Sequence, residues 1–305
     1  MIEVPPMIEV WGHRGARGLF PENTVEGIGA ALALGVDGVE IDVALTADGI
    51  PVLSHDPALP ADIARGRDGR WSGRTDTLLR HLRADDLARF DVGRLRPGSA
   101  TALRFPDQSP IDGAAIPRLD AVLALGTRCV IELKTFPDRP EVSASPVAIA
   151  EAVAASVDGA KAGARVCIES FDWRGPRYLR RTRPDLAFAW LTRAETERAA
   201  SLWWDGPTPE DFGGSVPRAV AAEGGGGTRR ITWAPEHVTL TPARIAEAHA
   251  LGLRILAWTV NEPADIVRLI GWGVDGLITD RPDIALAIVR LRPARSGNSA
   301  PSPAR

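Results

Sequence analysis

Lysine is almost missing from this chain: of its 36 basic residues only Lys134 and Lys161 are lysines, so arginine serves wherever a solvated positive charge is enough. A lysine inside a strand-like run therefore asks for a chemical reason. Cysteine is equally scarce. Cys129 and Cys167 each sit in a short apolar run that reads as buried strand, which makes them small core residues and offers neither a disulfide framework nor a redox pair. An excess of one charge is also lacking. A net charge of -3 and a pI near 6.0 leave no broad basic field for phosphate-backbone contacts, so the reading is no nucleic acid. No stretch approaches the roughly 18 apolar residues of a membrane span. The start, Met1–Gly12, has neither a basic n-region nor a long apolar h-region. The expectation is a cytoplasmic chain with no stable membrane insertion.

What is present is a core-forming α/β pattern. A length of 305 residues with 45% hydrophobic content suits one large domain or two small ones. Met1–Val4 recurs as Met7–Val10, so the first six residues are left out of the fold. The tail 292–305, rich in Pro, Ser, Ala and Arg, has no apolar period and reads as disordered. Between these ends, β-type runs alternate with helical segments: Ile8–Gly12, Val39–Val43, Cys129–Leu133, Val166–Ser170, Ala187–Leu191, Ile231–Ala234, Ile255–Val260 and Gly276–Thr279. The first helix reads as a capping box from Asn23 to Glu26, with Val25, Ile28 and Leu32 on one face and Gly35 as its stop.

A further run, Pro51–Ser54, follows Val39–Val43 across a connection too short for a parallel crossover, so it returns as a hairpin. The remaining eight parallel strands are the number that closes a (β/α)8 TIM-type barrel over residues 1–291. An internal echo fits repeated βα units: Gly35-Val36-Asp37-Gly38-Val39 precedes Asp42, and Gly273-Val274-Asp275-Gly276-Leu277 precedes Asp280. The stretch 57–116, where barrel neighbours need only a short loop, reads as an inserted cap after the hairpin, with one helix expected at Asp76–Phe90. A second long connection, 193–229, carries Trp203-Trp204 and Gly224–Gly227 and reads as a surface loop.

Barrel sites lie at the C-terminal strand ends, and acids concentrate there. Glu40 and Asp42 flank Ile41, so strand alternation points both carboxylates to one face. Glu132 and Lys134 repeat the geometry around Leu133. Buried acids facing one another are tolerable mainly with a cation between them, and three carboxylates make a hard oxygen site suited to one divalent cation, Mg²⁺ or Ca²⁺. His13-Arg14-Gly15 follows the first strand, and His55-Asp56 closes the hairpin beside those acids. Cleaving a phosphate diester needs charge neutralisation, an activated nucleophile and a protonated leaving group. The cation, Lys134 and Arg14 suit the first task, and His13 and His55 suit the others, with either order of base and acid. Asp56 either orients His55 or caps the next segment. His81, His237 and His249 lack that context. Phe171, Trp190 and Trp258 can wall a pocket or fill the core.

With these motifs in view, the sequence resembles the glycerophosphodiester phosphodiesterase family. The likeness runs through His13-Arg14-Gly15, Pro21-Glu22-Asn23-Thr24, Glu40-Ile41-Asp42-Val43, Thr46–Val52, His55-Asp56 and Glu132-Leu133-Lys134. It continues at Glu169-Ser170-Phe171, Trp258-Thr259-Val260-Asn261 and Asp275–Asp280. The resemblance implies hydrolysis of a small-molecule glycerophosphodiester to sn-glycerol 3-phosphate and an alcohol with a divalent cation. It assigns acid–base work to His13 and His55, the metal to Glu40, Asp42 and Glu132, and the substrate pocket to Lys134 and Trp258. The turn at Ile63–Gly69 departs from the pattern of many relatives and leaves the head group open. A lysophospholipase D-type activity on the same scaffold is the alternative, with Trp203-Trp204 as its apolar rim.

Overall fold

The computed structural model describes residues 8–72, 77–224 and 231–291. Its strands in chain order are β1 (Glu9–His13), β2 (Gly38–Leu45), β3 (Pro51–Leu53), β4 (Arg65–Gly66), β5 (Phe90–Asp91), β6 (Cys129–Leu133), β7 (Val166–Ser170), β8 (Ala187–Thr192), β9 (Thr232–Pro235), β10 (Arg254–Ala257) and β11 (Gly276–Thr279). One sheet runs β1-β11-β10-β9-β8-β7-β6-β2-β3, and β1 also pairs with β2, which closes it. Every barrel pair is parallel and within this sheet β3 alone is antiparallel, so the eight-stranded (β/α)8 barrel and the hairpin both stand as read from the sequence. The hairpin is short because Thr46 closes it: its N–H donates to the Ile50 carbonyl at 3.1 Å and its hydroxyl to Asp48 at 2.7 Å.

The strands are buried on both faces, as closure within a ring of helices requires. Outward residues such as Ile41, Ile131 and Ile168 pack on Ile28, Val122, Ile149 and Val153 of the surrounding helices. Inward ones, Trp11, Val130, Leu256 and Ile278, fill the barrel's interior. Cys129 lies in the outer layer, where burial pushes its thiol up to about 12.

The internal echo has a physical cause. Gly35 and Gly273 end their helices at φ of +91° and +96°, a conformation that glycine adopts without strain. Asp37 and Asp275 each accept a backbone N–H from the preceding barrel strand, from Val10 at 2.7 Å and Ile255 at 2.8 Å. A Cβ on Gly38 would meet the Trp11 ring at 2.4 Å, and one on Gly276 would meet the Leu256 side chain at 2.8 Å. The motif is thus a recurring solution to one problem, entering a strand beside a bulky neighbour.

Three local expectations need correction. Asn23 does not cap the first helix, Val25–Leu34; Thr24 does, its hydroxyl accepting from the Gly27 N–H, while Asn23 sits at φ +53° and turns inward. The single helix expected at Asp76–Phe90 is instead a 3-10 turn at Leu79–His81 and a short helix at Ala84–Leu87; Asp76 lies outside the described residues. Its leucines serve a small separate core, in which Leu79 and Leu87 pack with Leu59 and Ile63 on Ala44 and Val52 of the hairpin, so tertiary contacts rather than helical period set their spacing. The connection after β8 is no plain surface loop. Trp204 is fully buried and stacks on Trp173 at 4.1 Å. Residues 1–7, the tail 292–305 and, within the glycine run, Gly225–Gly227 lie outside the described residues.

Candidate active site

Acids gather at the C-terminal end of neighbouring strands because register puts them there. Asp42 on β2 lies opposite Glu132 on β6, which lies opposite Glu169 on β7. Glu40 and Asp42 face inward while Ile41 between them joins the outer core, and Leu133 does the same between Glu132 and Lys134. One ligand atom from each of Glu40, Asp42 and Glu132 falls within 4.8 Å of the others. The Lys134 ammonium sits 2.8 Å from Glu132 Oε1 and 3.4 Å from Asp42 Oδ1.

These buried acids are electrostatically unequal. Burial, reinforced by Asp42, Glu169 and Glu132, pushes Glu40 well above the usual carboxylate range. Burial lifts Glu132 to about 7 even though Lys134 opposes it. Asp42 goes the other way: despite burial, Arg14 and Lys134 hold it well below that range. Asp42 Oδ1 and Glu169 Oε2 are buried without a hydrogen-bond donor. An orphaned oxygen amid three hard donors fits a divalent cation, which would favour the ionised form of each carboxylate.

His13 ends β1. The chain then bends through Arg14 at φ +52° and Gly15 at φ +90°. Gly12 must be glycine, since a Cβ there would lie 1.7 Å from the Gly15 carbonyl oxygen. His13 Nδ1 meets Asp280 Oδ1 at 2.5 Å, and Nε2 lies 3.7 Å from Glu40. Burial outweighs the pull of Asp280 and brings His13 down to about 4. At neutral pH the ring is then neutral, with its proton assigned to Nδ1 by the Asp280 contact and Nε2 left as acceptor. Asp280 also takes Arg17 Nε and Asn261 Nδ2, each at 2.8 Å. Although burial pushes it up, His13, Arg17 and Asn261 hold its carboxyl below the usual range.

Asn261 and Asn23 do the same job 19 residues before their acids. Each side chain donates its amide to the aspartate, Asn261 to Asp280 at 2.8 Å and Asn23 to Asp42 at 2.9 Å. Each then accepts that aspartate's backbone N–H, at 2.8 and 3.2 Å. The sequence reading gave no role to Asp280, Asn261 or Glu169, and gave Asn23 only that of a helix cap. The signal was present, because the echoed glycine motif extends back to both asparagines at equal spacing.

Of the sequence-predicted residues, Arg14, His55, Glu132, Lys134 and Phe171 line one cleft of about 860 Å³, whereas His13, Glu40, Asp42 and Trp258 are not on its wall. His55 stands at the hairpin's end, its side chain 38% exposed and its Nδ1 2.8 Å from Asp56. Burial, then Lys134 and Arg14, lower its affinity for a proton. Both histidines act electrostatically on Asp42. Arg14 is largely engaged, with Nη1 2.8 Å from Glu22 and Nε 3.1 Å from Asp42. Trp258 meets Phe171 edge-on at 5.4 Å and donates its indole N–H to the Ala234 carbonyl at 2.9 Å. Trp190 is core, 1% exposed against Trp173. Trp203 reaches the cleft but Trp204 does not, so the two indoles form no shared apolar rim. His249 pairs with Asp275, which directly precedes β11.

A closed parallel barrel with an acidic trio that could hold a divalent cation, and with a lysine and two histidines at its strand ends, has the architecture of a TIM-barrel enzyme. The profile of the glycerophosphoryl diester phosphodiesterase family matches residues 13–284. The chain belongs to that family, and with it to the phosphoric diester hydrolases. A glycerophosphodiester phosphodiesterase of Caldanaerobacter subterraneus is 26% identical over 284 residues, which cover 92% of this chain and 97% of that one. A solved structure from Silicibacter pomeroyi, provisionally named a glycerophosphoryl diester phosphodiesterase, is 36% identical, covers 94% of each chain and superposes with a TM-score of 0.83. An Oleispira antarctica phosphodiesterase in complex with the product sn-glycerol-3-phosphate shares the fold at 20% identity and a TM-score of 0.65, covering 93% of this chain and 97% of that one. Among the described residues no helix is long and apolar enough to cross a membrane.

Proposed function

We propose that this enzyme hydrolyses glycerophosphodiesters to sn-glycerol 3-phosphate and an alcohol, using one divalent cation and the histidine pair His13 and His55. The observation that carries the reading is the convergence of the buried Glu40, Asp42 and Glu132 with Lys134 and a neutral, oriented His13. The three carboxylates would hold the cation, Mg²⁺ or Ca²⁺, which supplies Lewis-acid polarisation of the phosphate. Lys134 adds positive charge against the non-bridging oxygens, and Arg14 reinforces it from the cleft floor. Phe171, backed edge-on by Trp258, forms an apolar wall on the substrate's flank. The segment 57–116 acts as a cap, its residues from Pro57 to Ile63 forming one side of the cleft.

His13 takes the proton of the attacking oxygen at Nε2 while Asp280 steadies the resulting imidazolium through Nδ1. His55, held by Asp56 and open to the cleft, returns a proton to the departing alkoxide. Water is consumed, one P–O bond forms and one breaks. The test is leaving-group dependence in a His55→Ala variant, with sn-glycerol 3-phosphate identified as product. Activity on alkyl diesters should fall by roughly 10²–10⁴-fold while a nitrophenyl diester is spared. Equal losses on both would remove His55 from the acid's role. The lysophospholipase D alternative loses its apolar rim with Trp204 buried, and faster turnover of a lysophospholipid than of its deacylated diester would restore it.

A further inference from the structure

Beyond His55 and Lys134 the cleft continues between the 57–116 segment and the loops after β6 and β8, where Arg104, Arg139 and Arg193 line it. These guanidiniums differ from a set of tightly paired arginines elsewhere among the described residues. Arg94, Arg183, Arg268 and Arg281 are locked onto carboxylates at 2.7 or 2.8 Å. In contrast, Arg139 and Arg193 come no closer than 3.7 Å to Asp138 and Glu195, and Arg104 has no ion pair among the described residues. The Arg193 Nε is buried with no hydrogen-bond partner. Each lies instead over a ring: Arg193 over Phe171 at 5.1 Å, Arg139 over Phe136 at 5.1 Å and Arg104 over Phe105 at 5.2 Å. Five carboxylates line the same cleft, Glu22, Asp56, Asp62, Glu132 and Asp138; of those nearest in sequence to the arginine cluster, Asp138 stands beside Arg139 and Asp62 already accepts the Thr101 hydroxyl at 3.0 Å.

A quaternary ammonium head group needs open aromatic faces, and here guanidiniums cover them. An anion needs fork-shaped donors that are positioned yet unneutralised, which stacked arginines provide. We infer that the alcohol released by this enzyme carries a second anionic group, a phosphate ester or a carboxylate, seated among Arg104, Arg139 and Arg193. The inference rests on the phosphodiesterase reading of the site and deepens it to a substrate class.

The experiment compares kcat/KM on four glycerophosphodiesters that differ in the leaving alcohol: choline, glycerol, glycerol bearing a terminal phosphate, and glycerate. The wild type should favour an anionic alcohol over choline by about tenfold or more, an advantage that shrinks with added salt. Arg139→Gln and Arg193→Gln should each lower the anionic-to-neutral ratio several-fold, on the order of tenfold, mainly through KM. The phosphate arm exceeding the glycerate arm assigns the anion as phosphate, and the reverse assigns it as carboxylate. Choline turned over as well as the anions, or both variants losing all substrates alike, would overturn the inference while hydrolysis of the glycerol diester leaves the phosphodiesterase reading intact. A wild type that cleaves none of the four would overturn both.

Discussion

Single residues divide into those announced by spacing and those that only folding reveals. Glu40, Asp42, Glu132 and Lys134 were legible because a strand's period of two forces i and i+2 onto one face, and the register of β2 with β6 then brings the pairs together. Asp280 was not, since its partner His13 lies 267 residues away in the chain and meets it only when β11 closes against β1. Asn23 was misread as a helix cap because Asn is as good a cap as Thr, and nothing local told that it would instead hold Asp42. Asp280 should matter as a positioning residue, through His13's tautomer and ring orientation. Asp280→Asn is expected to lower kcat by about 10²-fold or more while KM changes far less. A variant whose loss lies wholly in KM would show that Asp280 serves binding and not the orientation of His13.

At the scale of elements, all eight barrel strands were legible as short apolar runs, although the one read as Ile255–Val260 ends at Ala257 and the one read as Val39–Val43 extends to Leu45. The β2–β3 hairpin followed from loop length alone. Elements outside the barrel were not legible, because their leucines and tryptophans answer to neighbours and not to a helical period. The clearest case is the pair after β8, where adjacent indoles have opposite fates. Trp204 packs flat on Trp173, and Trp173 meets Trp190 at 4.9 Å, which joins the connection to the barrel's outer core. Trp204→Ala should cost about 3–5 kcal/mol in chemical denaturation. Trp203→Ala should cost well under half of that, since its side chain is only partly buried. Equal costs would place both indoles in the core.

On the scale of the whole molecule, the barrel spends stability to keep its acids together. In the folded chain burial holds Glu132 at about 7, above its unfolded value of 4.5, so between those values the folded state retains a proton that the unfolded chain has released. Stability from this group is therefore present at low pH and is lost as pH rises through that window, on the order of 3 kcal/mol. Asp42, depressed by Arg14 and Lys134, runs the other way and loses its contribution only as pH falls below the usual carboxylate range. His13, brought down to about 4, runs against Glu132 and favours the folded state as pH rises through the imidazole range, so thermal melts of chelated protein should show Tm falling only from about pH 6.5 to about pH 7.5, with a divalent cation restoring more at the higher pH. A Tm that stays flat or rises over that interval would mean the acids are already compensated without a cation.

The most direct test of the central claim, that Glu40, Asp42 and Glu132 hold the cation on which phosphodiester hydrolysis depends, is a titration of Mg²⁺ or Ca²⁺ into chelated enzyme. Binding heat and release of sn-glycerol 3-phosphate are followed in parallel, for the wild type and for Glu40→Gln. One site whose occupancy tracks activity in the wild type, with both signals lost or weakened together in the variant, is the predicted result. Full product release after chelation, or a Glu40→Gln enzyme that binds the cation and turns over as the wild type does, would contradict it.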